Sequence, residues 1–285
     1  MPADFQTASA TCALGATLSW GLSDFVGGYA SRRANAFLLT TLTHVSGTTL
    51  MTLLALRFHA PFPGRHSILW AAIAGLFGGF ALAIFYRALA KGNMGLTAPV
   101  AAVLGAAIPT MFATVTEGMP GPVPVAGFFL AGIGIWLISR VEDSTAAPEG
   151  IGSALLAGLG FAAYFLCIKQ AGEGSIFWLA AVSRVVSFFV TGAIVVATRQ
   201  YKPMNLTGVG WAIGAGMLDS SGTAMFIRAS QVGRLDTAVV ISSLYPVVTV
   251  LLARIFLRER FSRWRFVGLV ASLLAVPMIA WVTAP

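Results

Sequence analysis

Seven residues of this chain, Trp70, Gly75, Phe85, Arg87, Ala88, Gly92 and Gly127, recur 141 positions later as Trp211, Gly216, Phe226, Arg228, Ala229, Gly233 and Gly268. That spacing is too long for a solenoid, whose repeats run about 20 to 50 residues. The duplicated unit is a half-domain of several elements, and the number of those elements limits what it can fold into.

Hydropathy supplies the number. Only 10% of the 285 residues are charged and 57% are hydrophobic, whereas a soluble domain carries about 25% charged residues. Apolar stretches of the roughly 20 residues needed to cross a bilayer follow one another along the chain. The sequence predicts spans at 8–29, 35–57, 67–91, 95–116 and 122–139, then at 150–170, 175–198, 206–230, 235–255 and 264–283. The expected fold is an all-α polytopic membrane protein with ten transmembrane helices: a five-helix repeat over 1–140, a polar connector over 141–149 and a second five-helix repeat over 150–285. The first apolar stretch lacks a basic start, carries Asp4 and continues to about residue 29, so it reads as a retained span and not a signal peptide.

Five is odd, so the second copy must enter the membrane from the opposite side, as an inverted repeat. Charge supports this. Thr116 to Val123, after span 4, holds no Lys or Arg, while the break after span 9 holds Arg258, Arg260, Arg263 and Arg265. Twelve Lys and Arg residues fall on the side of the breaks after the odd-numbered spans and five on the other, which predicts both termini outside. The net charge of +8 is spread through these breaks with no basic face or tail, so it reads as topogenic and no nucleic-acid partner is expected. Cys12 and Cys167 lie in apolar segments without metal-ligand spacing. Inverted repeats are the architecture of secondary transporters, with a substrate site near the midplane between the halves and alternating access by rocking.

The runs Phe85-Tyr86-Arg87-Ala88-Leu89, Leu244-Tyr245-Pro246 and Leu257-Arg258-Glu259-Arg260, with Gly268, resemble the drug/metabolite transporter superfamily, EamA-type. The resemblance covers both halves. It implies a basket of two five-helix repeats, and carriers that export amino acids, other small metabolites or drugs. Three places depart from the family pattern. Thr116-Glu117-Gly118-Met119-Pro120 stands where an acidic-basic turn is common, Gly105 stands where the second half has Pro246, and Asp24 follows the common Trp20-Gly21 pair.

Asp24, Arg184 and Asp219 lie within spans, where a charge costs about 2.5 to 3.5 kcal/mol at a helix centre. Trp20, Ser23 and Asp24 share one broad helical face, and an aromatic wall beside an acid suits a cationic or zwitterionic ligand. Asp24 is either such a site or a cap or interhelical bond near the membrane edge. Asp219 either serves substrate or pairs with Arg184, which could instead hold a substrate carboxylate. His44, near the middle of span 2, is a proton relay or a packing residue. Tyr86, Tyr164, Tyr245, Ser220, Ser242 and Ser243 offer polar contacts or interhelical hydrogen bonds. Gly75-x-x-x-Gly79 and Gly210-x-x-x-Gly214 predict close helix approaches, and Pro99, Pro109 and Pro246 predict bends in spans 4 and 9. Where the copies differ most usefully, Gly78, Gly79 and Phe80 become Asp219, Ser220 and Ser221.

No phosphate loop, His-Glu-x-x-His or Gly-x-Ser-x-Gly motif occurs. The sequence therefore predicts a carrier with a small-molecule substrate in a lipid bilayer, without cofactor, metal or enzymatic activity, and with Asp24 or Asp219 available for proton coupling. Its preferred reading is an exporter of amino acids or related compounds in a prokaryotic-type inner membrane. The alternatives are a proton-coupled multidrug exporter of lipophilic cations, an intramembrane enzyme and a non-transporting scaffold.

Overall fold

The computed structural model describes residues 3–91, 94–139, 151–199, 204–257 and 262–279. The connector at 141–149, Gly92, Arg258, Glu259, Arg260 and the end of the tenth expected span lie outside the described residues. The described residues form helices α1 (Ala3–Ser31), α2 (Ala36–Arg57), α3 (Arg65–Lys91), α4 (Met94–Thr116), α5 (Pro122–Ser139), α6 (Ile151–Ala171), α7 (Ile176–Ala197), α8 (Leu206–Val232), α9 (Leu235–Ser242), α10 (Tyr245–Phe256) and α11 (Arg263–Ile279). No strand occurs among them.

Local chemistry sets several boundaries, and sets them twice. The Asn35 side chain accepts from the backbone N–H groups of Phe37 and Leu38 at 3.0 and 3.1 Å, capping α2. Ser175 Oγ accepts from Trp178 N at 3.4 Å, capping α7. Each cap satisfies N–H groups that a helix start leaves without partners. His59 and Arg199, with φ of 48° and 51°, end α2 and α7 in the same left-handed turn. Caps and turns are both 140 residues apart, although the residue types differ.

Helix directions follow from which residues meet. Trp178 Nε1 donates to Ala60 O at 3.0 Å and Phe37 packs with Val195, so α2 and α7 run antiparallel. Gly127 faces Ile279 and Gly134 faces Ser272, so α5 and α11 also do. Ser9 and Ser23 donate to the carbonyls of Ala229 and Ala215, which makes α1 antiparallel to α8. In the mirrored contact Ser67 donates to Glu173 O and Gly160 faces Ala81, which makes α3 antiparallel to α6. Exchanging the two halves maps these contacts onto one another, and each helix runs opposite to its counterpart. The repeat is inverted.

Small residues make this packing possible. A Cβ on Gly75 would lie 2.2 Å from Ser183 O, and one on Gly216 would lie 2.1 Å from Thr43 O. These two glycines belong to the 141-residue echo. Each lets the third helix of one repeat touch the backbone of the second helix of the other, as association in lipid requires. Gly79 likewise meets Ser187. The expectation for Gly210 and Gly214 is corrected, since neither would bring a Cβ within 4 Å of anything. At 3.6 residues per turn, Gly214 lies about 200° round α8 from Gly216, away from α2.

The ninth crossing, Leu235–Phe256, is one apolar stretch in two pieces. Pro246 has no N–H to give Ser242 O, so α9 stops, Ser243 and Leu244 turn, and α10 restarts with the proline in its first turn. Its counterpart α4, with Gly105 in the equivalent place, is a single helix through Pro99 and Pro109. Among the described residues, five helical stretches are long and apolar enough to cross a membrane by length and composition: 36–57, 65–90, 152–171, 176–197 and the two-piece 235–256.

Candidate functional site

Between the repeats lies a small cavity of about 50 Å³, lined by Trp20 and Asp24 of α1, Gly78 and Leu82 of α3, Phe161, Tyr164 and Phe165 of α6, Arg184 of α7, Asp219 of α8 and Tyr245 of α10. Asp219 is thirteen residues from either end of α8, roughly 20 Å at 1.5 Å per residue, and therefore central in that helix.

The polar side of the cavity is built by α7 and α8. Arg184 Nη2 lies 2.8 Å from Asp219 Oδ2, with the two side chains 5% and 8% exposed. The same nitrogen donates to Thr223 Oγ1. Arg184 thus neutralises Asp219 where neither could stay unpaired cheaply. Asp24 is different. It is 6% exposed, and among the described residues it makes no hydrogen bond or ion pair. It lies inside α1, so the edge-cap alternative falls away. Arg184 Nε and the Tyr245 hydroxyl also lack partners, while the Tyr164 hydroxyl lies close to those of Thr223 and Ser183.

The opposite side is aromatic. Trp20 packs against Phe165 and Phe226 with ring centroids 5.8 and 5.6 Å apart, and Phe165 and Phe226 are 4.7 Å apart. Trp20 Nε1 donates to the Asp219 carbonyl at 3.1 Å, fixing the indole. Gly222 makes room for it, since a Cβ there would come within 2.7 Å of the ring. Gly78 does the same for Tyr164, at 2.8 Å.

Six of the expected site residues therefore meet at one cavity: Trp20, Asp24, Tyr164, Arg184, Asp219 and Tyr245. The other five lie outside its lining. Ser23 Oγ is 3.1 Å from Tyr86 OH and donates to Ala215 O at 2.8 Å, and a Cβ on Gly27 would strike the Tyr86 ring. Ser220 is buried against Gly47, and Ser242 Oγ donates to Ala13 O at 3.4 Å. His44 is fully buried with neither ring nitrogen bonded. Sequence reasoning missed Leu82, Phe161 and Phe165, whose apolar character is that of any lipid-facing residue, and singled out Gly78 only as the counterpart of Asp219.

A second polar cluster ties the repeats at one face. Lys169 Nζ lies 2.9 Å from Glu117 Oε1, and Leu235 N donates to Glu117 Oε2 at 3.1 Å. Arg234 donates to the carbonyls of Glu117 and Gly118 and pairs with Asp236 at 2.7 Å. The hydrogen bond to Asp236 pushes the Arg234 guanidinium above its usual range.

The model of the EamA-like transporter family matches the chain twice, over residues 7–140 and 148–281. The chain belongs to the EamA-like transporter family. The family places it among membrane transporters of small molecules rather than among enzymes, in a lipid bilayer. A solved crystal structure superposes with a TM-score of 0.76 over 95% of this chain and 97% of that chain, at 17% identity, and so shares the fold. None of the curated proteins matches the chain by sequence. The two matched segments coincide with the two EamA repeats that the helix contacts relate by inversion.

Proposed function

We propose that this EamA-family protein is a secondary transporter that exports small metabolites, amino acids and related amino compounds first among them, through the cavity between its repeats. The observation that carries this reading is a charged, aromatic-lined cavity at the interface of two inverted repeats, where such carriers hold their substrates. Trp20, Asp24, Tyr164, Arg184, Asp219 and Tyr245 contact the substrate, and rocking of the repeat over 1–140 against that over 150–285 opens the cavity to each side in turn. Asp24 or Asp219 couples movement to protons. The charge bias of the breaks supports an inner-membrane location with both termini outside.

A second reading, a proton-coupled exporter of lipophilic cations, draws on one observation: Asp24 stands uncompensated beside the Trp20 and Phe165 rings. The test is purified protein in liposomes against a panel of amino acids, organic cations and nucleotide sugars, with and without a pH gradient. Uptake of at least one class is expected, and failure across the panel would remove the carrier reading.

A further inference from the structure

The charges around the cavity do not balance. Its lining holds two carboxylates, Asp24 and Asp219, and one guanidinium, Arg184. Asp219 and Arg184 neutralise each other at 2.8 Å. Asp24 is left as a buried acid with no partner among the described residues, facing the cavity. A buried carboxylate is stable only when paired and otherwise takes up a proton, so Asp24 can exchange its proton for a cationic group of whatever fills the space.

The remaining unmet groups constrain the rest of the ligand. Arg184 has spent its charge on Asp219, yet its Nε–H has no acceptor, and the Tyr245 hydroxyl is unpartnered. These groups call for neutral oxygen or nitrogen acceptors. A carboxylate is disfavoured, because it would bring a third anion against a single guanidinium already occupied by Asp219 and Thr223. In a low-dielectric site that like-charge crowding costs far more than in water. Trp20, Phe161 and Phe165 supply an apolar wall for the ligand body.

We infer that the site selects a monocationic amine whose acid group is absent or capped as an amide, ester or alcohol, and that it discriminates against the corresponding free amino acid. This rests on the carrier reading and, within its class of amino acids and related amino compounds, puts the capped amines ahead of the free acids. The ammonium pairs with Asp24, the capped end accepts from Arg184 Nε, and the body stacks on the aromatic wall.

The test uses the intact protein in lipid nanodiscs for binding and in liposomes for uptake, with four probes of one shape: phenylalaninamide, phenethylamine, phenylalanine and N-acetylphenylalanine. At about pH 6.5 the free amines are protonated. Phenylalaninamide and phenethylamine are expected to bind at least tenfold more tightly than phenylalanine, with N-acetylphenylalanine weakest. Asp24→Asn should collapse that ranking to within about threefold, one half of a decade and under 1 kcal/mol. The wild-type ranking is decisive even if the variant fails to fold. Phenylalanine binding or moving as well as its amide overturns the charge rule and leaves the carrier reading standing. If none of the four probes binds, the charge rule falls. Only failure of uptake across the broader panel of amino acids, organic cations and nucleotide sugars removes the carrier reading with it.

Discussion

Neutralising Asp219 and neutralising Asp24 should have opposite consequences for stability, although both are buried acids at one cavity. The Asp219 carboxylate and the Arg184 guanidinium are 8% and 5% exposed and 2.8 Å apart, so solvent screens them little. Removing one member of such a pair costs about 3 to 5 kcal/mol, because the other charge stays buried without compensation. Asp219→Asn would leave Arg184 with Thr223 Oγ1 as its hydrogen-bond partner. Asp24→Asn removes a desolvated charge that holds nothing, and should change stability by less than about 1 kcal/mol or raise it. At about 1.4 kcal/mol per decade, the two variants differ by roughly two powers of ten or more in the unfolding equilibrium. The assay is reversible unfolding in mixed micelles followed by tryptophan fluorescence. Asp24→Asn as destabilising as Asp219→Asn would refute the reasoning, since Asp24 would then have a partner of its own.

Three further outcomes follow from the packing. Gly75→Ala, whose Cβ meets Ser183 O at 2.2 Å, should lose at least about 1 to 3 kcal/mol as an overpacked contact, while Gly210→Ala, which meets nothing, should be neutral or gain about 0.5 kcal/mol in helix propensity; equal effects in thermal unfolding would contradict the contact. Gly47→Ser clashes with Ser220, and adding Ser220→Gly should restore the lost stability, because the mirrored contact already pairs Gly79 on α3 with Ser187 on α7; no rescue would deny that the contacts are equivalent. Glu117→Ala, which removes both acceptor oxygens, should change global stability by only about 1 kcal/mol, its ion pair being partly solvated, yet speed hydrogen exchange at Leu235, whose N–H it accepts; unchanged protection there would show that the tie does not hold α9.

The number and direction of the helices were legible from spacing and parity alone. The sites of close contact were legible in part. Gly75 and Gly216 stood out because they recur, whereas Gly210 and Gly214 fit the same pattern and face the wrong way. Motif spacing gives a stripe on a helix but not the side on which a neighbour lies. Pro246 marked a break that the fold realises, whereas α4 runs as one helix through Pro99 and Pro109. Six of the eleven candidate side chains reach the cavity, and these include the three intramembrane charges, since charge in lipid is a strong signal. The serines gave no such signal, because a hydroxyl in a membrane helix bonds a neighbouring carbonyl as readily as a ligand. The shared turns at His59 and Arg199 were invisible, since backbone geometry repeats there while side chains do not.

The contacts also show which positions of the two repeats correspond at the cavity. Trp20 meets Gly222 as Gly160 meets Ala81, so Asp24 of α1 corresponds to Tyr164 of α6. Thr43 meets Gly216 as Ser183 meets Gly75, so His44 corresponds to Arg184, and Gly78 to Asp219. The charged trio Asp24, Arg184 and Asp219 thus corresponds to Tyr164, His44 and Gly78. Arg184 and Asp219 belong to the same repeat, while Asp24 belongs to the other. If the repeats rock as bodies, the ion pair travels intact and what changes is the position of Asp24 relative to it. A substrate cation held on Asp24 would then feel a different field in each state. On the proposed function, that asymmetry would let a symmetric scaffold bind from one side and release to the other, with affinity at Asp24 set by the approach of the Arg184–Asp219 pair and no charge leaving the membrane interior.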